Sequence, residues 1–344
     1  MDAWLRVEGT GEGPAVLVTV ALVEGSGPRE AGARMLVAGA SLHDTIGGGH
    51  LELRAIQIAR AMLGDGRTRQ MERFALGPSL GQCCGGVVHL AFELADPAQM
   101  ALLSARRRDN TWRMIALDGA ADSALFDPDG RFLWGSSTPH FSRERGTHVM
   151  QEHDGRRWLV DAVRAPADHL VLFGAGHVGL AIVRALAHLP CSVTWVDERD
   201  DMFPAQLPDN VTVEASDVPE ALVAAAPSGA SYLVMTHSHA LDQRLAEAIM
   251  ARADVGWFGL IGSRTKRRQF EHRLRERGVA QERIDAMVCP IGLPGIADKA
   301  PAVIAASVAA QLLMAWQQAA QLAHSAPPAR LQVVASYRTQ SERS

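Results

Sequence analysis

The sequence predicts an α/β protein in two parts, an N-terminal α+β domain followed by a domain with a mostly parallel sheet. Three observations carry that reading. The chain has 344 residues, more than one hydrophobic core ordinarily serves. From His169 onward, apolar runs alternate with amphipathic stretches in the rhythm of strand, helix, strand. Glycines stand at Gly174, Gly176 and Gly179, between an apolar run and an amphipathic segment. That G-x-G-x-x-G spacing in strand–turn–helix context is the phosphate-binding turn of a Rossmann unit. Because it begins at the middle of the chain, the first half must be a separate domain.

The bulk numbers narrow the function classes. Hydrophobic content is 47% and charged content 21%, ordinary for a globular core. A net charge of −4 and an aromatic content of 5% speak against nucleic acid or an anionic membrane as partner. Cys83, Cys84, Cys191 and Cys289 are too few and scattered for a disulfide framework, so a reducing, cytoplasmic location is expected. The N-terminus lacks a signal-peptide apolar core, and no run reads as long and apolar enough to span a bilayer.

The first domain is expected over 1–163. Pro14 to Val23 reads as a buried strand, broken by Gly25-Ser-Gly-Pro-Arg29, and Ala33 to Ala38 returns. Ser41 to Ile46 is short and ends at Gly47, Gly48 and Gly49. His50 to Leu63 carries Leu51, Ala55, Ile58, Ala59 and Met62 at helical spacing. A triple glycine ahead of a helix is a second potential anion cradle. Met71 to Leu76 and Val87 to Leu94 read as strands around Gly81-Gln-Cys-Cys-Gly-Gly86, and Pro97 to Arg108 as a helix. Trp112 to about Val163 reads as a small sheet. Val163 to Asp168 is the expected linker.

The second domain is expected over 169–323, with 324–344 a flexible tail. Strands are read at His169–Phe173, Cys191–Asp197, Val211–Glu214, Ser231–His237 and Val255–Ile261. Helices are read at Val178–Leu189, Val218–Ala225 and Leu241–Ala253, beyond the last of these strands through Arg277, and at Ala302–Ala323. The GAGHVG turn, Thr236 to Asp242 and Gly262-Ser-Arg264 then meet at the carboxyl edge of the sheet, where ligands bind in open α/β folds. Asp197 stands at the ribose position of a Rossmann unit or caps the next segment.

Each motif has a sharp and a bland reading. His237, His239 and Asp242 could hold zinc or iron, could hydrogen-bond a ligand, or could satisfy backbone at a strand end. Cys83 and Cys84 are a thiolate site or small buried hydrophobes. Arg264 and Lys266 suit an anion, whereas Arg273, Arg275 and Arg277 read equally well as a solvated face.

Taken together the motifs resemble a known family. Gly25 to Arg29 with Ala33-Arg-Met35, Ile46 to Glu52 and Cys84-Gly-Gly86 resemble the N-terminal signatures of XdhC, the xanthine dehydrogenase accessory factor. Gly174 to Gly179, Thr236 to His239 with Asp242, Gly259 to Arg264 with Lys266-Arg267, and Pro290 to Leu293 resemble its Rossmann-like domain. The resemblance implies a molybdenum cofactor chaperone rather than an enzyme, with no catalytic residues. Such a protein holds the molybdopterin form while a cysteine desulfurase supplies a sulfido ligand. It then inserts the cofactor into a xanthine dehydrogenase-type molybdoenzyme. The expected cofactor-binding residues are Cys84, Cys83, Gly47, Gly48, Gly49, Gly174, Gly176, Gly179, His237, His239, Arg264 and Lys266, with no firm metal site. A homodimer is the default assembly. The alternatives are an NAD(P)-dependent oxidoreductase built on the GAGHVG turn, with NAD itself not expected under the family reading, and a metal-dependent hydrolase.

Overall fold

The structure, a computed structural model, describes residues 3–5, 13–77 and 85–325. The chain divides into two compact units, Met1–Ala167 and Asp168–Ser344.

In the first unit the apolar run after Pro14 forms β1 (Ala15–Glu24), and its β-branched residues fit a strand buried on both faces. It lies between β2 (Arg34–Ala38) and β5 (Val87–Leu94), and all pairings are antiparallel. With β3 (Ser41–Asp44) and β4 (Arg69–Ala75) the sheet order is β3-β2-β1-β5-β4. Helix α1 (Gly49–Asp65) covers one face: its Leu51, Ala55, Ile56, Ala59 and Met62 pack with Val16, Val18 and Val20 of β1. Alternation along β1 sends Leu17, Thr19 and Ala21 to the other face.

A second antiparallel sheet lies there. Its strands are β6 (Thr111–Ala116), β7 (Ser123–Phe126), β8 (Phe132–Gly135), β9 (His148–Gln151) and β10 (Arg157–Val163), in the order β8-β7-β6-β10-β9. Ala21 and Ala91 from the first sheet pack against Ile115 and Leu159 from the second. Between them sits an ionic network. Arg113 is fully buried and pairs with Glu93, with Asp161 at 2.9 Å and with Thr19 at 3.1 Å. Arg34 and Thr147 hold the other Asp161 oxygen at 2.5 and 2.9 Å. Burial pushes the Asp161 carboxyl up, but Arg34 and Arg113 outweigh it and hold it below the ordinary carboxylate range. Helix α2 (Pro97–Ala105) is capped by Asp96 and stops before the three arginines that the sequence reading included in it.

The second unit is a five-stranded parallel sheet. Strands β11 (Asp168–Phe173), β12 (Cys191–Asp197), β13 (Val211–Ala215), β14 (Ser231–Val234) and β15 (Trp257–Leu260) lie in the order β13-β12-β11-β14-β15. The order reverses between β11 and β14, as in a Rossmann domain. Helices α3 (His177–Leu186), α4 (Glu220–Ala225), α5 (His239–Ala251) and α6 (Arg264–Glu276) follow the strands. A short α7 (Gln281–Ala286) was not expected. Strand β14 ends three residues before His237, which frees that loop for polar contacts.

Helix α8 (Pro301–Ser325) closes the unit and runs into the expected tail; residues 326–344 lie outside the described residues. Its Pro301–Leu322 stretch has a mean hydropathy of 1.3 and no charged residue, so it is long and apolar enough to cross a bilayer. The expectation that no such run exists is therefore corrected. Along one side of the helix the apolar character serves packing. Ala305, Val308, Leu312 and Trp316 are buried among the side chains of α3 and the sheet, and Trp316 Nε1 donates to Ser231 Oγ at 2.9 Å.

Candidate functional site

In the first unit, three glycine segments gather at one end of the first sheet. A Cβ on Gly86 would meet Ser26 O at 2.4 Å and Glu24 O at 2.6 Å, so Gly86 lies directly on the Gly25–Arg29 turn. A Cβ on Gly47 would meet Pro28 at 2.6 Å, which places the triple glycine against the same turn. Gly47, Gly48 and Gly49 all take positive φ, the left-handed region that only glycine enters cheaply. Arg29 in this group is exposed and makes no hydrogen bond or ion pair with a described residue. Cys83 and Cys84, which lead directly into Gly85 and Gly86, lie outside the described residues.

The triple glycine is not an open anion cradle. Glu52, in the first turn of α1, turns back into it: its Oε2 accepts from Ile46 N and Gly48 N, both at 3.1 Å, and from the Thr45 hydroxyl. Thr45 Oγ1 takes the Gly47 N–H at 3.0 Å. The chain's own carboxylate thus occupies the donors that an incoming phosphate would need. A glutamate in the opening turn of a helix that lacks a side-chain cap is the sequence signal for this arrangement, a relative of the capping box.

In the second unit the three glycines of the turn have different tasks. Gly174 has φ +116°, and a Cβ there would meet Met235 O at 2.5 Å. Gly179 packs so closely that a Cβ would lie 2.2 Å from Gly174 O. Trp195 Nε1 donates to that same Gly174 oxygen at 3.0 Å. A Cβ on Gly176, by contrast, would meet nothing within 4 Å. It caps α3 without a side-chain hydrogen bond, so the first N–H groups of the helix are left for an anion.

Around this turn lies a small cleft lined by Gly174, Asp197, Glu198, Thr236, His237 and Leu241, among others. Asp197 is already engaged: Oδ2 accepts from Ala175 N at 2.7 Å, and Arg199 grips Oδ1 at 2.9 Å. Burial raises its carboxyl, but the hydrogen bonds from Arg199 and Ala175 prevail and hold it below the ordinary range. His237 and His239 are exposed, and neither imidazole bonds to a described residue.

Asp242 and Lys266 turn inward. The Asp242 carboxylate has no exposed surface; Oδ1 accepts from Thr236 Oγ1 at 2.7 Å and Thr236 N at 3.1 Å, and Oδ2 accepts from Lys266 Nζ at 2.6 Å. Lys266 also donates to Ile261 O at 2.8 Å. This pair ties the β14 loop to the β15 loop, and it removes Asp242 from any metal set and Lys266 from the free cations. Among the described residues, no three His, Cys, Asp or Glu side chains gather to hold a metal. Arg264, at the start of α6, stays exposed and unpaired with any described residue, while Arg267 is held by Glu271 at 2.6 Å and Cys289 O at 3.1 Å. Burial pushes the Cys191 and Cys289 thiols up to about 11, which leaves them inert.

The sequence pattern of the XdhC Rossmann domain matches residues 170–312, and that of the XdhC and CoxI family matches residues 10–75. Together they take in well over half of the chain. This protein belongs to the XdhC family. The Cys84-Gly85-Gly86 motif falls between the two matched spans. The fold is that of a crystallised Bacillus halodurans protein described as a xanthine dehydrogenase. The TM-score is 0.73 at 19% identity, over 94% of this chain and 97% of that one. The chain is also 31% identical over 153 residues to YqeB, an uncharacterised protein of Escherichia coli strain K12. That stretch is 44% of this XdhC-family chain and 28% of YqeB.

Proposed function

We propose that this protein is an accessory factor for a xanthine dehydrogenase-type enzyme. In this role it holds the molybdenum cofactor as cargo, keeps it while a cysteine desulfurase supplies the sulfido ligand, and passes it to the apoenzyme. The observation that carries the proposal is the pairing, in one chain, of both XdhC-family halves, each with glycine turns gathered at one end of a sheet. In this reading Cys84 offers a soft thiolate to the molybdenum–sulfur end. Within the second unit the open turn at Gly176 and Arg264 are left for an anion, since Asp242 holds Lys266, and within the first unit Glu52 holds the triple-glycine donors. His237, beside Gly174, hydrogen-bonds the ligand.

Purified protein mixed with molybdenum cofactor is expected to retain it through gel filtration, and Cys84→Ala to weaken that retention. Retention no better than that of an unrelated protein overturns the proposal. The dehydrogenase reading is weakened because the Asp197 carboxylate, its ribose acceptor, is already bonded to Ala175 N and Arg199. An NADH fluorescence titration with no response at millimolar ligand disposes of it.

A further inference from the structure

Asp197 ends β12 at the position where a dinucleotide-binding domain takes the ribose hydroxyls of its ligand. In this chain the side chain is only 5% exposed. The cleft it shares with Gly174, Thr236 and His237 holds about 10 Å³, room for a single water and far less than a ribose occupies.

A carboxylate offers about four acceptor sites, two on each oxygen. In Asp197 all of them are filled. Oδ2 accepts from Ala175 N at 2.7 Å and from Arg199 Nη2 at 3.2 Å. Oδ1 accepts from Arg199 N at 3.1 Å and from Arg199 Nε at 2.9 Å. Two of these donors are backbone and belong to the turns on either side. The other two are the fork of the Arg199 guanidinium, whose side chain is 43% exposed. Glu198 and Asp201, close to it in the chain, attract the same guanidinium and add to its hold. Charge-assisted, forked hydrogen bonds are about twice as strong as neutral ones, so neutral ribose hydroxyls do not displace them.

We propose that Arg199 is the specificity-determining residue of the second unit: by filling Asp197 it closes the ribose position, so the turn takes a phosphate that bears no nucleoside. The inference rests on the cofactor-holding reading above, in which this turn is left for an anion. The test is NADH fluorescence titration of the full chain. Wild type should give no response at millimolar NADH. Arg199→Ala keeps both backbone bonds to Asp197 and frees two acceptors, the number that the two ribose hydroxyls need. It should bind NADH at least about tenfold more tightly than wild type, and inorganic pyrophosphate should displace it. Its thermal midpoint should stay at the wild-type value, because an ion pair with a half-exposed arginine adds little stability. Arg199→Ala combined with Asp197→Asn should lose most of the gain, which ties it to the carboxylate and not to the space vacated. No gain in Arg199→Ala, or NADH bound equally by wild type, overturns the proposal. A gain that survives in full in the double variant, or that pyrophosphate does not displace, overturns it equally. The accessory-factor reading fails separately, as a wild type that does not retain molybdenum cofactor.

Discussion

Two carboxylates show how much a single side chain organises here. Glu52 collects two backbone N–H groups and a hydroxyl in the triple-glycine turn. Glu52→Ala leaves those donors without their acceptor and should cost about 1–3 kcal/mol, read as a lower midpoint in urea. Asp161 joins the two sheets of the first unit through Arg34, Arg113 and Thr147. Replacing it with Asn removes the carboxylate that Arg34 and Arg113 share and leaves Arg113 with Glu93 alone, a loss of about 3–5 kcal/mol at neutral pH. The pH dependence has a definite sign. The folded-state pKa of Asp161 is depressed, so its contribution is present above the ordinary carboxylate value and fades as pH falls below it. Urea midpoints measured from neutral to acid pH should therefore fall more steeply in the wild type than in Asp161→Asn.

At the scale of elements, the Rossmann turn separates residues that build the fold from residues that meet a ligand. Gly179 lets α3 settle onto β11, and any Cβ there strikes the Gly174 carbonyl. Gly179→Ala should give an unstable or insoluble protein. Gly176 has φ −76° and open space where a Cβ would stand. Gly176→Ala should unfold at the wild-type temperature and yet lose cofactor retention, because the added methyl obstructs the approach of a phosphate to the helix N-terminus. Equal retention by Gly176→Ala would remove the turn from the binding site. The Asp242–Lys266 pair belongs to this scale too. It joins two loops that leave neighbouring strands, so its role is to set the shape of the sheet's carboxyl edge.

For the whole molecule, each core cluster draws its residues from a single unit. A chain limited to residues 168–325 should therefore fold by itself, with a cooperative melt and the far-ultraviolet signature of an α/β domain. An absence of cooperative unfolding would show that this core depends on the first unit. Helix α8 belongs to that fragment, because its apolar inner face completes the core beside α3 and the sheet.

The sequence by itself determined the two-part α/β organisation, the parallel sheet with its glycine turn, and the family. These rest on local signals: strands buried on both faces read as unbroken apolar runs, and a turn that needs left-handed backbone or close approach demands glycine at fixed spacing. The tertiary structure decided which of the polar residues are free. Lys266 and Arg264 are two positions apart and look alike as cations, yet one is held by a buried carboxylate from a distant helix and the other faces solvent. Gly47 to Gly49 and Gly174 to Gly179 look alike as phosphate turns, yet Glu52 fills the first and nothing described fills Gly176 in the second. The same holds for the apolar length of α8, which matches a membrane span in composition but meets a protein core along its inner face. A side chain's identity is local, whereas its hydrogen-bond partner is supplied by folding, and the partner settles whether the charge is left for a ligand.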